Sequence, residues 1–74
     1  MSNLEELRKQ WEEGLKIVAE ISRQKDRLIV VLKDPEGLYH LNRYFTVNTD
    51  EWVVSCDATQ KTADDIFRKL SQIM

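Results

Sequence analysis

Seventy-four residues bound this chain to one small domain, residues 1–74, with no room for a second core. A composition of 42% hydrophobic and 32% charged residues excludes disorder, and a net charge of −2 gives no overall attraction to phosphate or to an anionic membrane. The lone cysteine, Cys56, excludes an internal disulfide, and the sequence has no apolar leader and no run near the ~18 residues of a membrane span, so a cytoplasmic setting is expected.

Ser2 and Glu5 have the spacing of a capping box, in which each side chain satisfies the other residue's backbone N–H. Leu4, Leu7, Trp11, Val18 and Ile21 continue from there at helical spacings, with Leu15 and Ile17 widening the stripe, which predicts a helix over residues 3–25. Gly14 interrupts it and is explained here by a close approach of that helix to a sheet.

The next segment, Arg27 to Lys33, is β-branched and apolar on both faces, which predicts a strand. Asp34-Pro35-Glu36-Gly37 fits a type I turn, with proline preset at its second position and glycine free to turn left-handed at its end. A second strand follows in Leu38 to Val47, where period two sets His40, Asn42, Tyr44 and Thr46 against Tyr39, Leu41, Phe45 and Val47. Asn48-Thr49-Asp50 supplies a turn into a third strand, Glu51 to Asp57. If Val47 opposes Trp52, then Trp52, Val54 and Cys56 face the core, while Val53 and Ser55 face outward with the His40 row. Arg43 falls awkwardly between Leu41 and Phe45 on the apolar side, which requires either a bulge at Asn42-Arg43 or a side chain that snorkels to a glutamate. After an Ala58–Lys61 linker, Thr62 and Asp65 repeat the capping spacing, and Ile66, Phe67, Leu70, Ile73 and Met74 form the stripe of a last helix.

The expected fold is α+β in α-β-β-β-α order: a two-layer sandwich of a three-stranded antiparallel meander with two helices packed on one face. The opposite face is then left open.

Metal binding needs three or four converging ligands, and one His and one Cys cannot supply them. The alternation above places His40 and Cys56 on opposite faces, which removes a nucleophilic dyad. With no glycine-rich phosphate loop, nucleophile elbow or paired carboxylates, the expectation is no catalytic site, no metal, no cofactor and no small-molecule substrate. In element order alone the chain resembles the double-stranded RNA-binding domain, a family whose second helix opens on lysines that touch phosphates. Here that position is Thr62-Ala63-Asp64-Asp65, the reverse charge, so nucleic acid is the second choice of partner.

The remaining signal is the uncovered sheet face. His40, Asn42, Tyr44, Thr46, Val53 and Ser55 are the candidate interaction surface, because aromatic and imidazole groups offer an apolar body with a polar tip. The functional expectation is a non-catalytic protein-binding module of the small acidic inhibitor or adaptor type, a size class common among phages and mobile elements. Its partner would be another protein or a second copy, making a homodimer, held through that face or an edge strand. The agreement of caps, turn and hydrophobic pattern also fits a designed chain without assigned activity, although Cys56, a mid-helix Gly14 and Asn42-Arg43 speak for a natural one.

Overall fold

A computed structural model describes residues 3–48 and 51–73, apart from the side chains at 22 and 23. The elements are α1 (Leu4–Glu12), β1 (Lys16–Gln24), β2 (Arg27–Lys33), β3 (Tyr39–Asn48), β4 (Glu51–Gln60) and α2 (Ala63–Ile73). The strands form one antiparallel sheet in the order β1-β2-β3-β4. The α+β class and the antiparallel meander agree with the sequence. The strand count does not, since the sheet has four strands where three were expected, and the element order departs from that of the double-stranded RNA-binding family.

The extra strand comes from the second half of the expected first helix. Glu13 is already extended and Gly14 takes φ +80°, a left-handed conformation open to glycine at little cost, so the helix stops and the chain reverses. A Cβ at Gly14 would meet nothing within 4 Å, so its backbone conformation, and no close approach, explains the residue. Beyond it, Ile17, Val18 and Ile21 are β-branched, and Ile17 and Ile21 pair with Leu32 and Ile29 of β2 while Val18 is bulged out. Ser2 lies outside the described residues; the cap of α1 is Asn3, whose Oδ1 accepts the Glu6 N–H at 2.8 Å. The expected turn over Asn48-Thr49-Asp50 likewise lies partly outside them, at residues 49 and 50, as does Met74.

The expected Ala58–Lys61 linker is mostly strand, since β4 runs to Gln60 against Tyr39, but several local expectations hold. β2 has the expected limits, Gly37 closes its turn at φ +92° with its N–H on the Asp34 carbonyl at 3.0 Å, and the Thr62 hydroxyl accepts the Asp65 N–H at 3.2 Å at the start of α2.

The two helices do not share a face. Leu7 of α1 packs with Val30, Leu32 and Tyr44, while Ile66 and Leu70 of α2 pack with Ile29, Val31 and Leu41. Alternation along β2 sends these two sets of residues to opposite sides of the sheet, so the arrangement has three layers, α1 over sheet over α2, in place of the expected two. The cause is legible in β2 itself, where both rows are apolar and each needs a cover. A fully buried Ile, Leu or Val stabilises by about 1.5–3 kcal/mol relative to exposure, which is why neither row is left to solvent.

Two bulges set the faces of β4. Asn48 pairs with Glu51, and an unbroken ladder would put Val47 opposite Trp52; instead Val47 is bulged out and Thr46 takes that place. Every residue from Trp52 to Cys56 therefore lies on the face opposite the expected one relative to β3. A second bulge at Asp57 restores the original phase, so that Leu41 pairs with Ala58 and His40 with Thr59.

Candidate functional site

The six residues expected to form one open surface are divided by the sheet. His40, Asn42, Tyr44 and Thr46 lie on the α1 side together with Trp52, Val54 and Cys56, whereas Val53 and Ser55 lie on the α2 side opposite Phe45 and Arg43. Tyr44 is 0% exposed and Asn42 3%, so the row expected to meet a partner contains part of the core. His40, Thr46, Val53 and Ser55 are each half-buried. Ser55 donates to Asp57 Oδ1 at 2.7 Å, and Arg43 Nε lies 3.0 Å from Asp57 Oδ2. The Arg43 contact is ionic without a well-aligned hydrogen bond, and its guanidinium also sits 5.0 Å from the Phe45 ring centroid. Arg43 thus finds a carboxylate as expected, but an aspartate on the bulge of β4 takes the place of a glutamate.

Tyr44 is tied to α1 by a polar chain. Its hydroxyl donates to Glu12 Oε2 at 2.6 Å, and Arg8 grips the same carboxylate through Nε at 2.8 Å and a second nitrogen at 3.1 Å. Arg8 also reaches Glu20 on β1, so one guanidinium joins α1 to the sheet edge. Burial, and then the Glu12 carboxylate that its proton serves, push the Tyr44 hydroxyl well above the ordinary phenol range. The hydrogen bond to Glu12 is the main cause that raises Arg8 further, so it stays charged.

At the other end of this face, beside the Asp34 turn, is a cleft of about 200 Å³ lined by Trp11, Leu15, His40, Asn42 and Cys56. Cys56, expected in the core and away from His40, is exposed and shares the cleft with it. His40 is held on both sides. Its Nε2 is 2.8 Å from Asp34 Oδ2, and its Nδ1 is 3.2 Å from the hydroxyl of Thr59, its cross-strand partner. The same hydroxyl stands 3.9 Å from Cys56 Sγ. The other oxygen of Asp34 accepts the N–H groups of Glu36 and Leu38, each at 2.9 Å. The hydrogen bond from His40, followed by the Leu38 and Glu36 amides, holds the Asp34 carboxyl below its usual 3.8, so it is ionised at neutral pH.

Sequence reasoning missed three members of this cluster: Trp11, Asp34 and Thr59. Asp34 was assigned a turn role, which it also performs. Thr59 was placed in a linker, whereas β4 runs on to Gln60 and sets it opposite His40. Trp11 was placed in the core stripe of a long helix, and the early end of that helix leaves it 51% exposed.

No family model matches the sequence, and neither a curated protein nor a solved structure matches it. Among the described residues, no helix is long and apolar enough to cross a membrane.

Proposed function

We propose that this chain is a protein-interaction module which binds another protein, or a second copy of itself, along the outer edge of β1. With a helix on each face, the sheet offers its edges as the surface for association. Of the two edge strands, β4 carries the packing of both helices, and its Trp52, Val53 and Val54 are half-buried. β1 is different. Ile17 is 52% and Val18 41% exposed at its start.

The exposure of Ile17 and Val18 on a free edge strand is the observation that carries the proposal. An incoming strand would find unpaired backbone groups along β1 and apolar anchors at its start. The bulge at Val18 shortens the regular part of the edge and turns an extra apolar side chain outward, which favours a specific partner over indefinite sheet growth. An inhibitor or adaptor that acts by occupying a partner's surface needs no more than this.

The test is molar mass by size-exclusion chromatography with light scattering over a hundredfold concentration range, on the parent and on Ile17→Lys. A dimer that dissociates on dilution and is abolished by the lysine supports self-association through β1. A constant monomer rejects the second copy and directs the search to another protein. Retention on heparin that falls with salt would favour nucleic acid instead.

A further inference from the structure

The cluster at the Asp34 turn supports an inference that goes beyond association and does not rest on it. We propose that Thr59 is an acyl-accepting site: its hydroxyl, hydrogen-bonded to His40 and through it to Asp34, attacks activated esters that seat their acyl group against Trp11 and Leu15.

Three features carry the assignment. The first is the order of the hydrogen bonds. Asp34 is fixed by two backbone amides and His40 Nε2, at 2.8 Å, sits on its second oxygen. An ionised carboxylate only accepts, so the proton of a neutral His40 must be on Nε2, and Nδ1 is left as the acceptor facing the Thr59 hydroxyl at 3.2 Å. A nucleophile within reach of a base that is itself oriented by a third group is the arrangement by which hydroxyls are activated on unrelated folds. The second is access. Thr59 is exposed on the outer strand β4, and its hydroxyl stands 3.2 Å from His40 Nδ1 and 3.9 Å from Cys56 Sγ, two residues that line the cleft. The third is the character of the cleft. Trp11 and Leu15 supply an apolar wall on which an acyl chain can lie.

The step balances without a further reactant. Thr59 Oγ1 forms a bond to the ester carbonyl carbon as its proton passes to His40 Nδ1. The bond from that carbon to the leaving oxygen then breaks, and the alcohol or phenol departs with the proton from His40. The product is one acyl ester per chain and one free alcohol. Stoichiometric acylation of this kind is compatible with a chain whose main business is binding.

The probe is p-nitrophenyl acetate at neutral pH, with p-nitrophenolate release followed by absorbance and the acetylated residue located by peptide mass spectrometry. The expected result is one acetyl group on the peptide carrying residue 59, retained in Thr59→Ser and absent in Thr59→Val. Asp34→Asn is the sharper variant. Its side-chain oxygen can still accept the Glu36 and Leu38 amides, so the turn is kept, but its NH2 now faces His40 Nε2 and selects the tautomer that cannot accept from Thr59. The rate at residue 59 should fall by about a hundredfold, the size of a general-base contribution. His40→Gln should fall as far, with an unchanged circular dichroism spectrum confirming the fold. Acetylation confined to lysines, to Cys56 or to free imidazole, or a residue-59 rate indifferent to Asp34→Asn, overturns the proposal.

Discussion

The two sides of the sheet are held together in different ways. On the α2 side, Ile29, Val31, Leu41, Ile66 and Leu70 make an apolar layer closed by a helix with two buried residues. On the α1 side the helix buries only Leu7, and its hold on the sheet is completed by Tyr44, Glu12, Arg8 and Glu20, with an open cleft beside Trp11. The difference teaches where opening is cheapest. To separate, α2 must expose two buried side chains of its own and the layer beneath, whereas α1 exposes one of its own above Val30, Leu32 and Tyr44 and exchanges its polar contacts with Glu20 and Tyr44 for water.

The most disruptive way to test this contrast is to empty each side in turn. Tyr44→Ala removes a fully buried ring and should cost about 3–5 kcal/mol, and Ile66→Ala on the other side about 2–5 kcal/mol, both by urea denaturation. Tyr44→Ala should in addition free α1, seen as a gain in Trp11 solvent accessibility before global unfolding. A milder change sharpens the comparison: Tyr44→Phe keeps the packing and removes only the hydroxyl's bond to Glu12, a loss of about 1–2 kcal/mol.

That variant also has a pH signature. The Tyr44 hydroxyl titrates higher folded than unfolded, so its contribution is complete below the ordinary phenol value of 10.0 and is lost as pH rises above it. Stability should therefore fall on the alkaline side in the parent and fall less in Tyr44→Phe. Asp34 behaves in the opposite sense. Its carboxyl is lowered in the folded chain, so its contribution is present above 3.8 and disappears as pH drops through the folded value; Asp34→Asn should flatten the acid limb of a denaturation profile. The smallest expected effect needs no substitution: amide hydrogens of α1 should exchange faster than those of α2.

Much of this architecture is legible in the residues, and the failures have definite causes. β2 declares itself by an apolar run on both faces, the Asp34–Gly37 turn by its proline and glycine, and α2 by Thr62 and its stripe. The same double-sided β2 could have announced a helix on each face, had β1 been recognised as a strand. It was not, because Trp11, Val18 and Ile21 also fit a helical repeat, and Gly14 was weighed as a packing residue when its decisive property is a positive φ. The candidate surface failed for another reason. Alternation is a sound rule only between bulges, and nothing in Phe45-Thr46-Val47 marks the residue at which the ladder slips. The same slip hid the approach of Cys56 to His40, while Thr59 was hidden because Ala58 to Lys61 reads as a linker and β4 continues to Gln60.

The bulges at Val47 and Asp57 lie on different strands and cancel. Together they act like a paired insertion and deletion in a reading frame, with Trp52 to Cys56 as the only stretch read out of phase. Such a pair protects the rest of the sheet from its own irregularity.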